Sequence, residues 1–114
     1  MSRDCRLFLE DIQMGCDKIQ RYTGGLDCES FLEDEKTFDA VLRNLEIIGE
    51  ATRHIPESVK ELYPQVDWYN IAGFRNIVAH EYFGVDFDIL WDIIQHHVPA
   101  LREQIASILA QEKA

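Results

Sequence analysis

The chain has 114 residues, enough for one domain with its own core, and its 46% hydrophobic and 28% charged residues are an ordinary globular composition. No apolar run approaches the ~20 residues of a membrane span and no apolar segment follows the N-terminus, so we expect a cytoplasmic protein. The net charge of −10 argues against a broadly basic nucleic-acid-binding surface. An RNA site would have to be a local basic spot; the acidity also suits a basic protein partner, or solubility alone.

The first half of the chain shows the apolar spacing of amphipathic helices. A helix is predicted over residues 2–22, with Ser2 as its N-cap and two glycines after its end. A short helical piece is predicted over residues 30–34. A long helix then follows over residues 35–55, and Pro56 stops it.

The second half continues the same pattern. A short helix is predicted over residues 57–62 and a longer one over residues 67–79, with Phe83 as an alternative end of the second. Asp86 is the expected cap of the last helix, whose apolar residues recur at helical spacing. Pro99 lies inside that last pattern, and it should kink or split the helix near His97.

No segment alternates with the period of a strand for long, and no repeat is visible. The sequence therefore predicts an all-α protein. We expect one domain over residues 1–114, a bundle of four main helices plus one or two short ones.

The three cysteines are an odd number without the spacing of a zinc or redox motif. Reduced thiols are therefore expected. Cys16 falls on or near an apolar helical face, which predicts an inert packing role.

The histidines give little sign of a metal site. His96 and His97 are neighbours, about 100° apart on an α-helix, and would be a poor chelating pair. No paired-carboxylate or zinc spacing accompanies them, so no metal and no cofactor is expected. His54, near the end of its helix, is expected to act as a C-terminal cap.

The segment that stands out for chemistry carries Arg75, Asn76, His80 and Tyr82 within eight residues. Arg75 and His80 are five apart, roughly 140° round an ideal helix, so one helix does not bring them together. Either the helix ends near Ala79 and His80 is reoriented, or a second copy of the chain completes the site. The second possibility predicts a two-fold homodimer.

These residue types suit RNA cleavage, because RNA supplies its own nucleophile, the 2′-hydroxyl. A histidine moves protons near neutral pH, and an arginine binds phosphate through two hydrogen bonds. Asn76 would hold the histidine or a phosphate oxygen. The structural alternative is an Arg75 paired with Glu81 and a histidine that only occupies a helix end.

The string Arg75-Asn76-x-x-x-His80-x-Tyr82 resembles the signature of the HEPN superfamily, and within it the HepT-like toxin branch. The resemblance extends along the chain. It includes Ile48-Gly49-Glu50-Ala51 late in the long helix, and Gly84-Val85-Asp86 before the helix that contains Trp91.

This resemblance implies a helical HEPN bundle that forms a homodimer, with its cleft at the interface. It implies a metal-independent ribonuclease that acts as the toxin of a type VII toxin–antitoxin pair, on RNA and not on DNA. Arg75, His80 and Asn76 would be catalytic. The antitoxin, a minimal nucleotidyltransferase, would transfer AMP to Tyr82, and the anionic adenylyl group beside Arg75 would fill the cleft and repel RNA phosphate.

Two other functions remain open from the sequence. The bundle could be a non-catalytic binding subunit for a minimal nucleotidyltransferase, positioning nucleotide with Arg75 and His80. It could also be a structural helical dimer, in which substitutions at these two residues would alter stability alone.

Overall fold

The computed structural model describes residues 1–79 and 86–113, and these form helices and connecting turns without a strand. The helices are α1 (Arg3–Thr23), α2 (Cys28–Glu33), α3 (Glu35–Arg53), α4 (Glu57–Leu62), α5 (Trp68–Ala72), α6 (Phe74–Ala79), α7 (Phe87–Asp92), a π-helical segment (Ile93–His97) and α8 (Val98–Lys113). The all-α prediction is confirmed, while the homodimer and the extent of the domain stay predictions. No described helix has the length and apolarity to cross a membrane.

Helix starts follow the capping residues in the sequence. The Ser2 side chain accepts the backbone N–H of Cys5 at 3.1 Å, as the predicted N-cap of α1. Asp34 caps α3 in the same way, and hydrogen bonds from the side chain and backbone of Thr37 lower the pKa of Asp34. Asp86 begins α7 as expected, accepting two backbone N–H groups.

The core lies where α1 packs against both α3 and α8, so α1 is the middle helix of the three. Its fully buried side chains include Leu9, Ile12, Leu45, Ile48 and Ile105. Cys16 belongs to this core, and burial raises the pKa of its thiol to about 12. The expected packing role of Cys16 is therefore confirmed.

The predicted helix over residues 67–79 is divided at Gly73, which separates α5 from α6. The Asn76 N–H donates to the Gly73 carbonyl, three residues earlier, at 2.9 Å. This tight turn changes the direction of the chain. As a result, both short helices pack against α3.

The predicted kink before Pro99 takes the form of the π-helical segment. The Val98 N–H donates to the Ile93 carbonyl, five residues earlier. Proline has no N–H, and its ring collides with the carbonyl four residues before it in a regular α-helix, that of Gln95. One wide turn accommodates this conflict, and the helical rod continues from α7 into α8 without a break.

Candidate active site

The Arg75 side chain is paired with a carboxylate from a different helix. Its Nη1 atom lies 3.1 Å from Oε2 of Glu50, on α3, and each side chain is about half exposed, at 48%. The sequence pointed to Glu81 as the partner in the structural alternative, and it did not single out Glu50. The one available signal was the position of Glu50 in the Ile48-Gly49-Glu50-Ala51 phrase.

A glycine determines how closely Arg75 approaches α3. A Cβ atom on Gly49 would lie 2.9 Å from the backbone nitrogen of Arg75 and 3.1 Å from the carbonyl oxygen of Ala72. Both contacts are with backbone, so a larger residue could not be accommodated by a side-chain rotation. Gly49 therefore brings the start of α6 into direct contact with α3, where Glu50 can reach Arg75.

Glu50 has a second partner in His54, one turn further along α3. His54 Nε2 lies 3.4 Å from Oε1 of Glu50, and its ring stacks on Phe8 with centroids 4.9 Å apart. His54 is the residue at the C-terminal cap position of α3, as predicted, but its side chain contacts Glu50. The carboxylate of Glu50 is thus shared between a guanidinium and an imidazole.

Arg75 and Asn76 open onto a pocket of about 560 Å³ between the α5–α6 corner and the rod of α7 and the π segment. Arg53, at the end of α3, and Tyr69, on α5, also line it. A second arginine matters here because the chain has 11 Lys and Arg against 21 Asp and Glu. The pocket lining thus carries two arginines and one carboxylate, that of Asp92, which is the reverse of the balance in the chain as a whole.

The opposite wall of the pocket includes Asp92 and His97. His97 Nε2 lies 3.3 Å from Oδ2 of Asp92, and His96 Nε2 lies 3.9 Å from Oδ1. The predicted surface position of both histidines is confirmed. Both histidines reach Asp92 although they are adjacent in sequence, because residues five apart align in a π-helix and residues four apart align in an α-helix.

The metal-free prediction can be compared with the described side chains only in part. Among residues 1–79 and 86–113, no group of three or more His, Cys, Asp or Glu side chains has the arrangement to hold a metal ion. Asp92 and the two histidines form a cluster of carboxylate–imidazole contacts on the surface.

The described residues contain half of the predicted site. Arg75 and Asn76 are exposed at the start of α6, on one pocket. His80 and Tyr82 lie outside the described residues, and so does Glu81. The geometry thus provides an anchored, solvent-accessible guanidinium with an amide beside it, an arrangement that can bind a phosphate group.

Comparison with known proteins identifies the family. The family model described as "Ribonuclease HepT-like" matches residues 12–108. This chain belongs to the HepT-like ribonuclease family. The match includes the Arg75-Asn76-x-x-x-His80-x-Tyr82 string, so the sequence-based recognition is confirmed.

Named relatives agree with this assignment. "Probable ribonuclease HepT" of Thermococcus cleftensis is 41% identical over 102 residues, which cover 90% of this chain and 93% of that protein. "Putative RNase MJ0127" of Methanocaldococcus jannaschii is 40% identical over 107 residues, 94% of this chain and 88% of that protein. No solved structure matches the HepT-like chain with significance.

Proposed function

We propose that this HepT-like chain is a metal-independent endoribonuclease, the toxin of a toxin–antitoxin pair. The observation that carries the proposal is the position of Arg75. Within a family of ribonucleases, the first residue of the motif is anchored by Glu50 and exposed on a pocket large enough for a nucleotide.

In the proposed reaction, Arg75 binds two oxygens of the scissile phosphate and stabilises the charge of the pentacoordinate transition state. The 2′-oxygen of the ribose attacks phosphorus and its proton passes to a base, while the bond to the 5′-oxygen breaks and that oxygen takes up a proton. His80 serves as the general base or acid. Asn76, next to Arg75 on the pocket, orients the phosphate or the imidazole. The products are a 2′,3′-cyclic phosphate and a 5′-hydroxyl.

Regulation in this proposal acts through Tyr82. A nucleotidyltransferase antitoxin transfers AMP from ATP to its hydroxyl, with release of pyrophosphate and the hydroxyl proton, and the added negative charge competes with RNA phosphate for Arg75. The working form is a cytoplasmic homodimer, in which a second copy brings its His80 toward the first copy's Arg75.

The test compares the purified chain with its His80→Ala variant on a single-stranded oligoribonucleotide. We expect the variant to lose cleavage by ~10²-fold or more, the usual contribution of a general acid or base. Arg43→Ala is the matched control, since Arg43 is exposed and pairs with Glu46 on the same helix, outside the motif. End-group analysis should find cyclic phosphate, and a substrate with 2′-deoxyribose at the cleaved position should resist.

Equal cleavage by the parent and His80→Ala would overturn the enzymatic proposal. A stable complex with a nucleotidyltransferase, from which the freed chain cleaves no RNA, would instead favour the non-catalytic binding subunit. Intact mass after co-expression with the antitoxin tests the modification, because Tyr82→Phe should gain no adenylyl unit.

A further inference from the structure

Tyr69 is held in a way that presents its ring to solvent. Its neighbour Trp68 is buried, and the Trp68 indole N–H donates to the Tyr63 carbonyl at 3.0 Å. This anchor fixes the short helix α5. Because neighbouring residues on a helix point about 100° apart, Tyr69 turns outward, where it is 88% exposed. An aromatic ring exposed to this extent, on a helix that is anchored through its neighbour, can act as a stacking surface.

The same pocket contains the groups that a nucleotide would need beside a stacking ring. Arg53 lines it from the end of α3, and among the described carboxylates none lies within 4 Å of the Arg53 guanidinium. His97 lines it from the opposite side, with its Nε2 held by Asp92. The second ring nitrogen of His97 can exchange a hydrogen bond with the edge of a base.

From this arrangement we propose that the pocket is a subsite for one nucleotide of a single-stranded RNA, adjacent to the phosphate bound by Arg75. The base stacks on Tyr69, its phosphate pairs with Arg53, and its edge contacts His97. The proposal rests on the proposed ribonuclease function for the position of the cleaved phosphate. A single strand is specified because stacking on a protein ring requires a base freed from its own stack.

The test measures binding in the His80→Ala chain, so that the RNA stays intact. A short oligoribonucleotide with a fluorescent label is titrated at low, fixed salt, and its Kd is read from anisotropy. Tyr69→Leu should raise the Kd about tenfold, the usual effect of losing one stacked base. Arg53→Gln should raise it several-fold and make the dependence of Kd on salt shallower.

Two controls separate this subsite from a general surface effect. Tyr22→Leu removes an exposed tyrosine at the end of α1, and Arg43→Gln removes an exposed arginine of α3; both should leave the Kd unchanged. With an oligomer that lacks the base at the affected position, Tyr69→Leu should have no effect, because the phosphates alone do not stack.

The proposal is overturned if Tyr69→Leu and Arg53→Gln bind the oligomer as tightly as the parent, or if the parent shows no binding at low salt. It is also overturned if the substitutions weaken binding of free 5′-AMP and leave the oligomer unaffected. Failure of the subsite proposal can be distinguished from failure of the proposed ribonuclease function. Cleavage that needs His80 and is indifferent to Tyr69 and Arg53 removes only the subsite, while Tyr69-dependent binding without cleavage removes only the enzyme.

Discussion

Among the residues that the structure describes, two arginine–carboxylate pairs join different helices, and they lie in different surroundings. Arg102 on α8 pairs with Asp17 on α1, and it also lies 3.0 Å from Glu103. Both carboxylates raise the pKa of Arg102, and Asp17 has the larger effect. Arg75 pairs with Glu50, which it shares with His54, and faces a pocket with a second arginine.

The difference lies in the charge that is left to act on a ligand. Two carboxylates offset the charge of Arg102, which therefore connects α1 to α8 and offers little to an anion. Among the described carboxylates, Arg75 contacts that of Glu50, and it has an open side, so a phosphate can compete for it. An exposed ion pair is thus uninformative about function by itself, and its neighbours decide what it can do.

The largest effect is expected from Arg75→Lys, compared with Arg102→Lys. Lysine keeps the charge but loses the planar fork that binds two phosphate oxygens. We expect Arg75→Lys to lower the cleavage rate by ~10²-fold or more, while Arg102→Lys leaves it unchanged. Initial rates on one oligoribonucleotide provide the measurement. Similar rate losses in both variants would erase the distinction between the two pairs.

A second comparison concerns the two glycines that pack against other segments. Alanine at position 49 would collide with the backbone of Arg75, whereas alanine at position 15 would meet the Ile48 side chain, at 2.7 Å from Cγ1. A side chain can shift where backbone cannot. Gly49→Ala should therefore destabilise the fold by about 2 kcal/mol. Gly15→Ala should cost less, because the Ile48 side chain can move away; the gain of up to ~1 kcal/mol in helix propensity is common to both variants.

Urea unfolding of both glycine variants gives these free energies of unfolding. Gly49→Ala should also lower the cleavage rate at urea concentrations where it is fully folded, because it displaces Arg75. If Gly15→Ala lowered the free energy of unfolding more than Gly49→Ala, the close contact between α3 and α6 would not be the one that limits stability.

Glu50→Gln should separate two effects of the Glu50 carboxylate: it holds the Arg75 guanidinium in place, and it competes with RNA phosphate for that guanidinium. The amide no longer holds the Arg75 guanidinium firmly, so kcat should fall by several-fold. It also no longer competes with phosphate, so KM should stay the same or fall. Asp17→Asn is the matched change in the other pair, and it should alter stability without altering kcat or KM. A rise in KM for Glu50→Gln would contradict this role of Glu50 as a positioning residue.

The smallest effect is expected at Tyr63, whose side chain does not line the pocket. Its hydroxyl donates to Glu112 at 2.6 Å, and this hydrogen bond raises the pKa of Tyr63 above 10. Tyr63→Phe should cost about 1 kcal/mol and leave cleavage intact. Because the folded-state pKa is raised, the stabilisation is present below pH 10 and is lost as pH rises through the raised value. Thermal unfolding of both chains at pH 8 and above pH 10 checks this loss.

The sequence predicts α1 and α3 well, because local groups determine where they start and stop. Ser2, Asp34 and Pro56 act on their own helices, and the apolar stripe identifies the buried face. The recognition of Arg75 and Asn76 also came from a local string. The expected roles of His80 and Tyr82 stay predictions, since both lie outside the described residues.

What the sequence did not predict depends on contacts between distant segments. Glu50 and Arg75 are far apart along the chain, and their pairing follows from the close packing that Gly49 permits. The pocket that joins Arg53, Tyr69 and His97 brings three helical segments together, and no periodic pattern indicates it. The shared contact of the two adjacent histidines with Asp92 arises because a π segment departs from the regular helical period.

The π segment also separates two parts of the same rod. Deleting one residue between Ile93 and His97 would rotate α7 by about 100° relative to α8. Leu90 of α7 is buried in the core, so this rotation would carry it toward solvent and would also turn Asp92 away from the pocket wall. The wide turn therefore sets which face of α7 meets the core and which meets the pocket, and its length cannot change without disturbing both.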